Sequence, residues 1–339
     1  MRFLVTGGAG FMGSHLAEVL YRKGHAVAVA DDFSGGSMAN LEDCAPSDRH
    51  RWMVYRADLS LSADAERLVA DWLPDVVCHL AANAREGASQ FQPRDVTRRN
   101  LMAYMNVLVP AIRVGAKKVV LYSSMAVYGN QEPPFDESMP RHPIDVYGVN
   151  KAAMERVTEI LAAVHRFQYT ILRPHNVFGE RQALGDPFRN VVGIFMNRIM
   201  RGEPLTIYGD GEQTRAFTYI DDVLEPMVRA AERTDARLDE QIINLGGRTE
   251  YTVNRLAELV CAAMGARPEI IHAADRPCEV KHAYCTWEKS ARILGFQQTI
   301  GVEDGIALMA RWAKAQGPQA WWNRDVELAG ESLPEAWRQ

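Results

Sequence analysis

The sequence predicts an α/β fold: a doubly wound parallel sheet joined to a smaller, mixed α/β lobe. Three observations carry that expectation. Short apolar runs alternate with segments of helical period through the first half of the chain. A glycine-rich turn separates the first run from the first helical segment, and the regular alternation stops near residue 175. Alternation of this kind implies parallel strands with helices over both faces.

The strand-like runs are Arg2–Thr6, Ala26–Ala30, Trp52–Tyr55, Val76–Leu80, Lys118–Tyr122 and Gln168–Leu172. Between them, apolar residues recur at helical spacing over Phe11–Lys23, Ser62–Trp72, Asp95–Val114 and Val146–His165. Right-handed crossovers then put a ligand at the carboxyl ends of the strands. After about residue 175 the pattern changes. "GERQALGDPFRN" is a loop, "VVGIFMNRIMRG" a helix ending at Gly202, and "EPLTIYGDGEQTR" a strand and turn, while "TVNRLAELVCAAMG" and "GIALMARWAKAQ" are helical by period. The division is therefore residues 1–175, with about 216–260 returning to the same domain, and 176–339, mainly a second lobe. The Trp- and Pro-rich tail "PQAWWNRDVELAGESLPEAWRQ" is expected to wrap the domain, with packing on a neighbour as the alternative.

Composition narrows the classes of function. A chain of 339 residues, 47% hydrophobic and 24% charged, is long enough for one large or two joined packed domains. A net charge of -5 with no basic block gives no general attraction to nucleic acid or to an anionic membrane. No run of about 18 apolar residues suggests a membrane span, and the N-terminus opens directly on a strand rather than on a secretory signal. Five cysteines, at 44, 78, 261, 278 and 285, include no C-x-x-C pair, which argues against a disulfide framework or a structural zinc site. No metal and a cytoplasmic location are expected.

The first specific signal is "VTGGAGFMGSH", where Gly7, Gly10 and Gly13 link the first strand to the first helix. Glycines allow the tight turn and let backbone N–H groups approach a pyrophosphate at the helix N-terminus. Strand before and helix after are the context such a motif requires, so it reads as a Rossmann-like dinucleotide site. Phe11 and Met12, opening that helix, and Leu80, ending the fourth strand, belong to the same expected cofactor site. Asp31, in "AVADDFSGG", stands where a carboxylate accepts hydrogen bonds from the adenine ribose and repels a 2′-phosphate. That favours NAD over NADP. Asp58, in "RADLS", is either an adenine contact or a helix N-cap.

The second signal is "DVYGVNKAAME", which puts Tyr147 and Lys151 four apart on one helical face. A phenol titrating near 10 is a poor base at neutral pH. An ammonium roughly 4 Å away contributes on the order of 4 kcal/mol at an effective dielectric of about 20, or about three pKa units. Tyr147 is therefore expected to approach neutrality, with NAD+ adding to the effect. Ser124, in "SSMAVYG", supplies a second hydroxyl, while Ser123 points elsewhere and is structural.

Together these motifs resemble the extended short-chain dehydrogenase/reductase family, in particular its NAD-dependent nucleotide-sugar epimerases and dehydratases. The likeness runs through "TGGAGFMGSH", "HLAA" at 79–82, "SSMAVYG", "YGVNK", "LRPHNVFGERQ", "IYGDGEQTRAFTYIDD" and "RPCEVKHAYC". It implies a substrate-binding second lobe and a homodimer. It also implies that Asn176, Arg215 and Arg276 bind the substrate diphosphate, a role suited to forked guanidinium donors. Arg85 is implied in the loop over the sugar, beside Glu86, and Arg181 near a sugar carboxylate. Ala283 stands at a position resembling a size gatekeeper. Family members that eliminate water or decarboxylate carry acidic residues just after the hydroxyl of "SSMAVYG"; this chain has Met125 and Ala126 there. Neither side chain moves a proton. Ala126 also departs from the cysteine used by 3,5-epimerases. The resemblance thus implies a 4-epimerase that passes through a 4-ketose, on a UDP-hexose or UDP-uronate. A 4-keto-sugar reductase, a 3,5-epimerase and a non-catalytic dinucleotide-binding protein are the alternatives.

Overall fold

The computed structural model describes residues 1–44, 50–234, 236–322, 326–331, 333–334 and 337. The Cys44 side chain and residues 323–325, 332, 335–336 and 338–339 of the tail lie outside the described residues.

Six strands arise from the apolar runs: β1 (Arg2–Thr6), β2 (Ala26–Asp31), β3 (Trp52–Arg56), β4 (Val76–His79), β5 (Lys118–Tyr122) and β6 (Gln168–Pro174). The helices between them are α1 (Phe11–Arg22), α2 (Ser62–Trp72), α3 (Pro93–Thr97), α4 (Ala103–Arg113) and α5 (Val146–His165). One expected helix is thereby corrected: Asp95–Val114 is interrupted by a π-helical turn at Arg98–Met102. The wider turn brings Asn100 inward, where its side chain pairs with the backbone of Asn83 through Asn83 N–H to Oδ1 (2.7 Å) and Nδ2 to the Asn83 carbonyl (3.1 Å). The apolar period continues through this turn, so the sequence carries no sign of it.

The chain continues through β7 (Val177–Phe178), α6 (Val191–Met200), β8 (Leu205–Tyr208), β9 (Thr214–Ala216), β10 (Thr218–Tyr219) and α7 (Ile220–Glu232). It ends with β11 (Gln241–Leu245), β12 (Glu250–Thr252), α8 (Val253–Met264), β13 (Ile270–Ala273), β14 (His282–Ala283), α9 (Glu288–Leu294) and α10 (Val302–Gln316). The seven-stranded parallel sheet has the order β11-β6-β5-β4-β1-β2-β3. Its winding reverses between β1 and β4, and a crevice opens there beyond the strand carboxyl ends.

Alternating side chains of each strand feed opposite faces. Phe3 and Val5 pack with Leu16 and Leu20 of α1 and Met227 of α7. Leu4 packs with Leu68 of α2 and Val107 of α4. Leu121 and Ile171 meet Met154 of α5. The remaining strands form small sheets: β8 with β13, β7 with β10, and β9 between β12 and β14. Helices α6, α8 and α10 pack on one another beside them. Among the described residues, no helix is long and apolar enough to cross a membrane.

Candidate active site

Two clefts meet at the crevice. The first, of about 500 Å³, follows the carboxyl ends of β1, β2 and β4 and is lined by Gly7, Gly10, Phe11, Met12, Asp31, Asp58 and Leu80. These are the residues the glycine motif and its neighbours predict for a dinucleotide. The cradle is tight. Gly7 sits at φ +65°, and a Cβ there would stand 2.7 Å from the Ala81 nitrogen. A Cβ at Gly13 would lie 2.2 Å from the Gly7 carbonyl oxygen, so a methyl group would force the turn off the helix N-terminus. Asp31 is fixed by the backbone N–H groups of Ala9 (3.0 Å) and Phe33 (2.9 Å), and burial pushes its carboxyl up against those bonds. Arg99 lines the same cleft but is held by Asp32, Asp95 and Ser34. Asp58 does not cap α2. It accepts from the backbone (3.0 Å) and hydroxyl (2.6 Å) of Ser60 in a local turn, and Leu61 is the residue preceding the helix. Glycines that no side chain could replace, a helix N-terminus and a ribose-facing carboxylate fit NAD.

The second cleft, of about 380 Å³, is shared between the sheet ends and the smaller strands, and Tyr147 and Ser123 line both. The two adjacent serines diverge. Ser123 Oγ donates to buried Glu155 (2.5 Å), whereas Ser124 opens the turn Met125–Tyr128, accepts from Ala126 N–H (3.1 Å) and lines the second cleft with Tyr147. Asp145 caps α5 by accepting from Gly148 N–H (2.7 Å), which fixes the turn that presents Tyr147. Lys151 Nζ donates to the Tyr122 carbonyl at the end of β5 (2.7 Å) and stands 5.7 Å from the Tyr147 ring centroid.

The electrostatics differ from expectation. Burial pushes the Tyr147 phenol above its ordinary value; Ser124 pulls it down, and the carboxyls of Glu86 and Asp145 push it up. Burial lowers the Lys151 amine to about 8. The lysine alone therefore does not bring the tyrosine to neutrality. Desolvation of the phenolate dominates, and Arg189 is the cation that pulls it the other way.

Across the second cleft lie Asn176, Arg215 and Arg276. Asn176 takes a left-handed turn (φ 41°) and donates Nδ2 to the Ala216 carbonyl (3.0 Å). Arg276 forks onto Glu279 through Nε (3.0 Å) and Nη2 (2.7 Å). Arg215 donates to the carbonyls of Thr214 (2.8 Å) and Val280 (2.5 Å) and lies 3.7 Å from Glu279. The Glu279 carboxylate thus lies against both guanidiniums, and Glu86, which lines the same cleft, acts on both as well. Ala283, the expected gatekeeper, is buried in a cluster with Met125 and Val127.

Two expected substrate residues are corrected. Arg181 does not line either cleft. It sits in a left-handed turn (φ 65°) that aims Nη2 at Glu18 of α1 (2.6 Å). Arg85 lines the first cleft instead of the second, because Nε (3.1 Å) and Nη2 (2.9 Å) are both drawn to buried Asp186. Sequence reasoning missed Arg189, which lines both clefts and lies 3.5 Å from Asp186. It also missed Asp145, whose carboxyl is pushed to about 7 by burial and by Glu86. The N-cap signature before "VYGVNK" was a signal for Asp145; Arg189 had none, since a loop brings it in.

Fold and site together define a dinucleotide-dependent enzyme with a second, arginine-lined cleft beside the cofactor cleft. Comparison with known proteins agrees. The model of the NAD dependent epimerase/dehydratase family matches residues 3–246. The chain belongs to that family, and its cofactor is NAD. It is similar to a UDP-glucose 4-epimerase of Mycolicibacterium smegmatis, 32% identical over 91% of this chain and 96% of that protein. A UDP-N-acetyl-alpha-D-glucosaminuronate decarboxylase of Bacillus cytotoxicus is 31% identical over 80% of this chain and 83% of that protein. Among solved structures, a UDP-glucose 4-epimerase of Thermus thermophilus in complex with NAD superposes with a TM-score of 0.84, at 30% identity over 93% of this chain and 99% of that one.

Proposed function

We propose that this chain is an NAD-dependent nucleoside-diphosphate-sugar 4-epimerase acting on a UDP-hexose or a UDP-uronate. The observation that carries the reading is the convergence of Ser124, Tyr147 and Lys151 where the two clefts meet, in a turn whose Met125 and Ala126 cannot carry protons. NAD, when bound, supplies reversible hydride transfer at the sugar C4. Tyr147 takes and returns the proton of the 4-hydroxyl, and Ser124 hydrogen-bonds the same oxygen. Lys151, tied to the Tyr122 carbonyl, keeps its charge beside the phenol. Arg215 and Arg276 hold the diphosphate while the keto sugar presents its other face. With Arg181 engaged by Glu18, Arg189, which lines the second cleft, is a cation for a uronate carboxylate.

A second reading rests on Glu86. It lines the second cleft, and burial raises its carboxyl despite Arg215 and Arg276. Beside a C4 ketone, such a group takes a proton from C3 or C5, the chemistry of a 3,5-epimerase. A panel of UDP-, GDP-, CDP- and dTDP-sugars, with products separated and weighed, distinguishes these outcomes. A C4 epimer of unchanged mass with no net NADH is expected. Loss of water or carbon dioxide, inversion at C3 or C5, or stoichiometric NADH consumption overturns the 4-epimerase reading.

We also infer a homodimer. Val149, Ile160 and Val164 of α5 leave 54%, 47% and 66% of their surface exposed, an apolar set on a helix otherwise packed on the sheet. Sedimentation at the mass of one chain would rule the dimer out.

A further inference from the structure

Described residues of the C-terminal tail reach both clefts. Its backbone is tied beside the first: the N–H groups of Glu327 (2.7 Å) and Leu328 (3.1 Å) donate to the Phe91 carbonyl. The Glu327 carboxylate accepts from the backbone N–H groups of Arg94 (3.0 Å) and Asp95 (2.8 Å) at the start of α3. Val326 and Glu327 line the cofactor cleft, while Trp337 lines the second cleft.

Trp337 is set with some care. Its ring meets Phe188 edge-on at 4.8 Å, Phe91 at 5.8 Å and Tyr208 at 6.2 Å. Arg276 lies over the Tyr208 ring, 4.9 Å from its centroid. Gly87, next to Glu86 in the loop over the sugar, is flanked by both: a Cβ there would stand 3.2 Å from Arg276 Nη1 and 3.8 Å from the Trp337 ring. The indole therefore sits beside a diphosphate-facing arginine and against the sugar loop. A residue that only filled the core would be buried away from the clefts; this one walls one of them.

We propose that Trp337 is part of the substrate site, walling the second cleft at the sugar–diphosphate junction, with Glu327 anchoring the described stretch 326–328 of the tail beside the cofactor cleft. The inference rests on the nucleotide-sugar reading above. An indole offers the apolar face of a pyranose a flat surface and excludes water from the neighbouring arginine, which strengthens a guanidinium–phosphate bond.

Wild type, W337A and E327Q are compared for calorimetric binding of UDP, GDP, CDP and dTDP, for bound NAD, for melting temperature and for turnover of the best sugar nucleotide. W337A is expected to weaken the sugar-nucleotide KM about tenfold, or about 1.4 kcal/mol. Its kcat and NAD content should stay within about twofold of wild type, a split that simple loss of packing does not produce. E327Q should move KM in the same direction by less. Unchanged KM and nucleotide affinity in W337A, whatever happens to its melting temperature, overturns the proposal alone. A wild-type protein that binds none of the four nucleotides overturns the nucleotide-sugar reading and this inference with it.

Discussion

Tyr147→Phe is expected to lower turnover by about 10²–10⁴-fold, the usual worth of a positioned acid–base group, while leaving NAD bound. The substitution deletes one oxygen from a ring that is 7% exposed and wedged among Val96, Ala126 and Val146, so the fold has no reason to change. Retained NAD, measured as nicotinamide released on denaturation, separates loss of proton transfer from loss of cofactor. The effect should be large because the turn beside the phenol offers no substitute: Met125 and Ala126 are inert, and Ser124 is a weak base without the phenol. Turnover close to wild type would remove Tyr147 from the chemistry and with it the proposed mechanism.

Glu155→Leu should be the most damaging change outside the site. Glu155 has no solvent exposure and accepts from Arg173 Nε (2.8 Å) and Nη2 (2.6 Å), Arg141 Nε (2.5 Å) and Ser123 Oγ (2.5 Å). Arg173 is 1% exposed and passes the network on to Tyr128 (2.7 Å), which donates to Asn244 of β11 (2.8 Å). Removing the carboxylate strands a buried guanidinium, which costs about 3–5 kcal/mol. The melting midpoint should fall by roughly 4–7 °C for a chain of 339 residues. Glu155→Leu combined with Arg173→Met should recover part of the loss; a double variant no better than the single one would argue that packing, not stranded charge, is responsible. The pH dependence follows. Burial alone would push the Glu155 carboxyl up, but Arg173, Ser123 and Arg141 hold it below the ordinary carboxylate range. Its contribution is full above about pH 4.3 and disappears as pH falls through the depressed folded value. The acid limb of wild-type stability should therefore be steeper than that of the variant.

Local chemistry made much of this molecule readable from its sequence. Strands β1 to β6 fall where short apolar runs lie, and α2 and α5 begin and end where periodicity puts them, because each buries one stripe against the sheet. The glycine turn was legible because part of its sterics is local: Gly13 is constrained by Gly7 and Gly8, although Gly7 itself meets Leu80 and Ala81 just beyond β4. What the sequence concealed depends on distant partners. β11 pairs with β6 after a long excursion, and Gln241–Leu245 gives only a brief apolar signal. Arg181 and Arg189 lie eight positions apart in one loop, yet only Arg189 reaches the clefts, a choice set by Glu18 of α1 and Asp186. The phenol's environment was likewise hidden. A helical spacing of four reveals Lys151 but not Glu86, which a separate loop delivers.

The path of the backbone limits how the molecule can bend. The chain leaves the large sheet after β6, returns with α7 against α1, adds β11 to the sheet edge, and departs again to pair β12 with β9. Covalent stitches near residues 175, 220 and 247 thus span the seam in which the clefts lie. A single-hinge jaw needs one or two pivots, whereas three tethers at different points resist rotation about any one axis. Opening and shutting should fall to peripheral pieces, and severing the protein at residue 175 should give two halves that cannot each fold, since the first would lack the edge strand that covers β6.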